Sequence, residues 1–204
     1  MVLFFSGTGN SHYTAKIIAE KTGDQLVSIN QLIKQGNHET LVSEEKPFVF
    51  VCPTYAWRIP RVVDEFIRQS HFSGTDNVYF IMTCGDDTGN AVGYLKKLCR
   101  FKGFQFQGFA EIPMPENYIT MFQCPDEAAS EEIIKKGREK AALLAETIRA
   151  GKPLPDFAPK TKLKSGFVND AFYQFIVKSK GFYTTDKCIG CRKCAQLCPL
   201  NNMK

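Results

Sequence analysis

Four thiols crowd into eleven residues near the end of the chain: Cys188, Cys191, Cys194 and Cys198, the last followed by Pro199. Spacers of two, two and three residues let the first three thiolates wrap one centre in a tight turn, the ligand pattern of an iron–sulfur cluster. Zinc sites usually divide their ligands between two knuckles a dozen or more residues apart, and this run has no such division. At the other end, FFSGTGNSH sets Ser6, Gly7, Thr8, Gly9, Asn10 and Ser11 directly after an apolar run and before a helical pattern. Such a loop offers backbone N–H groups and hydroxyls to an anion at a helix N-terminus, where the dipole favours negative charge. The loop lacks the Gly-Lys-Ser/Thr ending that positions lysine and magnesium on a triphosphate. It also lacks a third glycine, having His12 there, and the second strand ends at Ile29-Asn30 without the acid that would hold a ribose. A phosphate that is neither a triphosphate nor part of a dinucleotide is the expected guest.

Two further stretches carry residues suited to a planar ring system, which needs aromatic faces and backbone donors. CPTYAWRIP (Cys52–Pro60) supplies Pro53, Thr54, Tyr55 and the single tryptophan, Trp57. TCGDDTGN (Thr83–Asn90) supplies turn backbone around Cys84, Gly85, Asp86 and Gly89. A third connection, PMPENYITMFQCP (Pro113–Pro125), is long and aromatic, and leaves open whether Asn117 and Tyr118 cover a ligand or the prolines simply make a rigid crossing.

The elements that must position these loops alternate. Apolar runs at 2–5, Leu26–Ile29, Phe48–Val51, Val78–Met82 and Phe106–Ile112 read as five strands. Helical spacing follows at His12–Lys21, around Val62–Ile67 after Pro60, over Asn90–Phe101 and over Asp126–Ala150. Short, continuously apolar strands separated by helices imply an α/β fold, a doubly wound five-stranded parallel sheet covered on both faces, with ligands at the carboxyl ends of its strands. Gly151–Lys162, with three prolines, reads as an extended linker. Val168, Ala171, Phe172, Phe175 and Ile176 then keep the rhythm of an amphipathic helix that ends near Gly181 and packs the tail on the first domain. The expected division is 1–150 for the α/β domain, 151–181 for linker and helix, and 182–204 for the cysteine segment.

SGTGNS resembles the phosphate loop of flavodoxins, which wraps the terminal phosphate of FMN. The resemblance implies that Thr54, Tyr55 and Trp57 flank one side of the isoalloxazine and that Gly85, Asp86 and Gly89 flank the other. Many flavodoxins carry a flexible glycine peptide after the third strand, and Cys52–Pro60 has none, so weak stabilisation of the one-electron-reduced flavin is the expectation. The cysteine run is similar to one half of a bacterial-type 4Fe-4S ferredoxin. Together the motifs resemble a family of flavodoxin-ferredoxin fusion proteins of anaerobes. In that family a second cysteine run follows, and the fourth cysteine of each run serves the other's cluster. This chain has six residues after Cys198, so a fragment of a longer gene is expected, with the alternatives that Cys198 bends back to complete a single cluster or that the cluster forms poorly.

The net charge of +5 is uneven: residues 1–150 hold 16 basic against 18 acidic side chains, and residues 151–204 hold 10 against 3. The basic tail residues alternate with prolines and aromatics, which argues for a solvated surface near a negative cluster and against nucleic acid or membrane as partner. The other four cysteines, Cys52, Cys84, Cys99 and Cys124, are scattered and read as buried thiols. With no long apolar span and no basic leader, a cytoplasmic location is expected. His12, His38 and His71 are isolated, and no acid–base pair stands out. The leading expectation is an electron conduit between redox protein partners, coupling one-electron and two-electron carriers. The alternatives are an FMN-dependent oxidoreductase of a small substrate such as a quinone, and a binding module without redox activity. Oligomeric state is left open.

Overall fold

The computed structural model describes residues 1–37, 39–158, 169–177, 181 and 183–203. Expectations resting on His38, on residues 159–162 of the linker, on Val168 and on the end of the tail helix lie outside these. The elements run β1 (Val2–Phe4), α1 (Asn10–Thr22), β2 (Leu26–Ser28), α2 (Ile29–Gln35), β3 (Leu41–Ser43), β4 (Phe48–Pro53) and α3 (Arg61–Gln69). They continue with β5 (Phe72–Gly74), β6 (Asn77–Cys84), α4 (Ala91–Lys102), β7 (Gln105–Pro113) and α5 (Glu127–Arg149).

Five strands form one parallel sheet in the order β2-β1-β4-β6-β7, with Val2 opposite both Leu26 and Val49, and Phe48 opposite Val78. Counting only its own members, this is the 2-1-3-4-5 order of a flavodoxin-like doubly wound fold, whose switch point lies between β1 and β4. The carboxyl ends of those two strands therefore face a crevice that no crossover helix covers. The loops starting at Phe5 and Thr54 leave from there.

Burial on both faces explains why the central strands read as unbroken apolar runs. On one face Leu3, Phe48, Phe50, Val78, Phe80 and Met82 pack with Ile29, Val63, Ile67, Leu95 and Leu98 from α2, α3 and α4. On the other, Val2, Val49, Val51, Tyr79, Ile81 and Ile112 pack with Ala15 and Ile18 of α1 and Ala141, Ala145 and Ile148 of α5. Alanines on α1 and α5 let both helices lie close to the sheet. Gly137 goes further, since a Cβ there would stand 2.8 Å from Met114 Sδ and 3.2 Å from the Pro113 carbonyl oxygen.

Two features differ from the sequence expectation. The strand expected to run through Ile29 stops at Ser28, which caps α2 by accepting from the Gln31 N–H at 3.3 Å. Ile29, Leu32 and Ile33 give α2 its buried face, and Gly36 ends it at φ 60°. The second is a two-stranded parallel ladder of β3 and β5 outside the main sheet. It supplies Phe72, which meets Phe48 and Phe50 edge-on at 5.2 and 5.8 Å.

After α5 the chain turns back over β7. The register of β6 and β7 slips between Val78 and Tyr79, and Gly108, at φ 143°, makes room for Leu154, whose Cβ would otherwise be met at 2.5 Å. Leu154 is buried and its N–H donates to the Gln107 carbonyl at 2.8 Å. Phe157 packs edge-on against Phe109 at 4.8 Å.

The tail segment after residue 168 departs from the amphipathic reading. Asn169–Ala171 are helical and pass into a π-helical turn, Phe172–Ile176. Asn169 is the buried residue there, while Phe175 and Ile176 are exposed. Asn169 docks, Ala171 and Phe172 are half-buried, and Phe175 and Ile176 face outward.

Candidate functional site

The loop after β1 is held open by its own hydrogen bonds. Ser6 Oγ accepts from the Gly9 N–H at 3.0 Å, and Asn117 Nδ2 donates to Thr8 Oγ1. With their oxygens serving as acceptors, the Ser6 and Thr8 hydroxyl hydrogens stay available to an anion. Gly9 sits at the N-cap of α1 at φ 115°, where an L side chain is strained, and no side chain caps the helix. The orphan N–H groups of the first turn are thus left for an external acceptor. Nothing lies within 4 Å of a Cβ placed on Gly9, so the loop opens onto free space.

Asn10 and Ser11, expected in the loop, form the first turn of α1. Asn10 Nδ2 donates to the Pro115 carbonyl at 3.1 Å, and Ser11 is buried with its hydroxyl 2.8 Å from that of Thr83. These two residues fasten the loop to its neighbours. Asn30, which the sequence reading used only as the absence of an acid, clamps the loop from behind. Its Oδ1 accepts from the Ser6 N–H at 2.9 Å and its Nδ2 donates to the Ser6 carbonyl at 3.2 Å.

The loop after β4 makes a tight reversal without glycine. Tyr55 and Arg58 exchange backbone hydrogen bonds of 2.8 and 3.3 Å across Ala56 and Trp57, which stand at φ 48° and 62°. Left-handed backbone costs an L residue roughly 1–2 kcal/mol. The turn therefore needs support from outside itself. Tyr55 Oη reaches back toward the first loop, 3.1 Å from a Cβ built on Gly7. Burial pushes the Tyr55 phenol above its ordinary range, with Tyr173 and Cys52 adding to the effect. Thr54 N–H donates to the Thr83 carbonyl at 2.9 Å, while Thr54 Oγ1 is buried without a partner among the described residues.

The loop after β6 lies against the other two. Trp57 covers Gly89 so closely that a Cβ there would be 2.7 Å from Trp57 Cδ1. Glu116 does the same to Gly85, and its other oxygen accepts from the N–H groups of Asn117 and Tyr118 at 2.9 and 2.8 Å. Thr88, fully buried, donates its hydroxyl to Glu111 Oε2 at 2.8 Å, which pins the loop to β7. Cys84 is buried, with its thiol pushed up to about 12 by desolvation first and by Glu111 next. Asp86 and Gly85 are exposed, and Pro53 is half-buried at the end of β4.

Three loops from β1, β4 and β6 thus converge at the switch point. The uncapped helix, the donor hydroxyls and the orphaned Thr54 oxygen fit a group that brings its own anion and its own hydrogen-bonding atoms. These residues suit a flavin mononucleotide. Signals for the missed residues were weak in the sequence, because Asn30, Glu111 and Glu116 act through distant partners.

The cysteine segment is a different case. Cys188, Cys191 and Cys194 are exposed and Cys198 is half-buried. Gly190 at φ 66° and Arg192 at φ 56° bend the chain between them, and Lys193–Leu197 form one helical turn. Among the described residues no three His, Cys, Asp or Glu side chains are grouped as a metal site. As a donor set the four sulfurs are the right chemistry for iron–sulfur. Backbone hydrogen bonds, that of Leu200 first and then those of Asn202 and Met203, hold the Cys198 thiol below its usual range. The segment is seated on α2: Lys34 Nζ donates to the Cys198 carbonyl at 2.9 Å, and Leu200 packs on the core.

Residues 182–204 match the family model described as a 4Fe-4S binding domain. No curated protein matches the chain in sequence. Among solved structures, the chain is similar to an azoreductase from Bacillus anthracis, at 17% identity over 72% of this chain and 98% of that one, with a TM-score of 0.42. It is also similar to the two-electron reduced flavodoxin of Megasphaera elsdenii, at 18% identity over 69% and 99% of the two chains, with a TM-score of 0.39. No helix of the described residues is long and apolar enough to cross a membrane.

Proposed function

We propose that this protein carries electrons between FMN, bound by the loops after β1, β4 and β6, and a 4Fe-4S cluster bound by Cys188, Cys191, Cys194 and Cys198, and that it exchanges them with other redox proteins. The observation that supports this reading best is the uncapped N-terminus of α1 at the switch point, with Gly9 at φ 115° opening onto free space. FMN, when bound, supplies one- and two-electron chemistry.

The chain's own residues would divide the work. Backbone N–H groups of α1 and the Ser6 and Thr8 hydroxyls bind the phosphate, and Asn30 fixes the loop that presents them. Tyr55 and Trp57 would exclude water from the ring, Trp57 from its seat on Gly89, and the exposed backbone of Gly85 and Asp86 would line the rim. Thr54 Oγ1 would donate its proton to a ring or ribitol oxygen.

The test is anaerobic purification and reconstitution with FMN, iron and sulfide, with both cofactors counted per chain. About one FMN and about four iron atoms, with electrons passing between them after rapid mixing with a one-electron reductant, are the expected results. Protein that takes up FMN but no iron would overturn the conduit and leave a flavoprotein.

A further inference from the structure

The tail reaches the flavin side of the molecule through one buried side chain. Asn169 is 1% exposed, and its Nδ2 donates to the Ala56 carbonyl at 2.8 Å and to the Tyr55 carbonyl at 3.3 Å. Its Oδ1 accepts from Arg58 Nη1 and Arg61 Nη2, each at 3.4 Å. The next residue, Asp170, receives Arg61 Nη2 at 2.8 Å and Arg58 Nη1 at 3.5 Å. Both guanidiniums are sandwiched as well, Arg58 over the Tyr94 ring at 3.8 Å and Arg61 over the Tyr173 ring at 4.1 Å.

These contacts converge on a turn in which two consecutive non-glycine residues are left-handed. Ala56 and Trp57 occupy left-handed conformations with no glycine to relieve them. The half-buried Ala56 carbonyl accepts from Asn169 Nδ2, and a carbonyl shielded from water and deprived of its donor is costly. Asn169 uses both of its amide hydrogens on the turn and its oxygen on the arginines that flank it. The tail segment is therefore built into the turn that carries Trp57 and Tyr55.

We propose that Asn169, supported by Asp170, is a positioning residue of the flavin site: it clamps the Tyr55–Arg58 turn in its left-handed form, so that docking of the tail sets how tightly the flavin is held. The inference rests on the flavin reading for its functional half. Its structural half, a turn ordered by the tail, stands without any ligand. Coupling runs in both directions, so bound flavin equally strengthens the seating of residues 169–173.

The full chain is used throughout, with N169A, D170N and N169A/A56G as variants. Hydrogen exchange of residues 55–58 in flavin-free protein reads the clamp, and titration with FMN by fluorescence quenching reads the site. N169A is expected to speed exchange at 55–58 and to weaken FMN about tenfold, with D170N showing a smaller loss. A glycine at position 56 removes the left-handed penalty, so N169A/A56G is expected to regain most of the lost affinity, which a purely space-filling role for Asn169 would not allow. Unchanged exchange at 55–58 in N169A would overturn the clamp. Faster exchange with unchanged FMN affinity, or affinity lost without rescue by A56G, would overturn its role in the site. If wild-type protein binds no FMN while N169A still loosens the turn, the flavin reading fails and the clamp survives.

Discussion

Ser11 Oγ and Thr83 Oγ1 lie 2.8 Å apart in the interior, joining the first turn of α1 to the carboxyl end of β6. Both residues are almost wholly buried, so each hydroxyl depends on the other. Removing one partner leaves the other unsatisfied, at a cost of about 1–3 kcal/mol, whereas replacing both with apolar groups of similar shape costs less than the sum. Urea unfolding of S11A, T83V and the double variant should show this non-additivity. Strictly additive losses would mean that the two hydroxyls do not rely on each other.

Asn30 grips Ser6 by both its N–H and its carbonyl. N30A should loosen the phosphate loop and leave the rings' surroundings intact. The expected signature is a fall of about tenfold in FMN affinity with little change for riboflavin, which has no phosphate. Equal losses for the two ligands would move the role of Asn30 away from the phosphate.

Gly9 carries its constraint in the backbone alone, since a Cβ there meets nothing within 4 Å. G9A should therefore destabilise the fold by about 1–2 kcal/mol through its φ of 115°. It should also weaken FMN more than riboflavin. A variant as stable as the wild type would show that the loop adopts another conformation.

The thiols fall into two groups with different chemistry. Burial pushes Cys84 and Cys99 up to about 12, and Cys52 higher still, whereas Cys188, Cys191 and Cys194 are exposed. Iodoacetamide at pH 8 should label Cys124, Cys188, Cys191 and Cys194 first in cluster-free protein, Cys124 being exposed against the sequence expectation of a buried thiol, and reconstitution with iron and sulfide should protect the last three. Rapid labelling of Cys84 in folded protein would contradict its burial.

The same shifts set an alkaline limit. A thiol whose folded pKa is raised above its ordinary value of 9.0 holds its proton in the native state while the unfolded chain releases it. Unfolding is then favoured as pH climbs, so the stabilising contribution is complete below pH 9 and lost progressively toward pH 12. Urea midpoints should fall between pH 8 and pH 10.5, and the fall should be smaller in C99A. Midpoints that rise over this range would reverse the sign of the argument.

Much of this architecture is legible in the sequence because the central strands are buried on both faces. Phe48–Val51 and Val78–Met82 have no polar residue to interrupt them, and the glycine loop follows β1 at once. α2 escaped because seven residues give less than two turns of periodicity, and its Ile29 extended the preceding apolar run. β3 and β5 escaped for their length of three residues each. Asn30 and Asn169 could not be recognised locally, since each acts on backbone groups far along the chain, 24 residues away for one and 113 for the other. In the tail, the apolar rhythm of Phe172, Phe175 and Ile176 masked the polar residue that makes the contact.

The return of the chain over β7 has a consequence for how copies of this protein meet. β7 ends the sheet, and an end strand displays a row of unused backbone donors and acceptors on which a second molecule can build. Here the Gln107 carbonyl is taken by Leu154, and the slipped register at Tyr79 breaks the regular spacing that a recruited strand would require. Residues 152–157 thus act as a gatekeeper against edge-to-edge polymerisation. A chain cut just after α5 would keep the loops after β1, β4 and β6 and lose that protection.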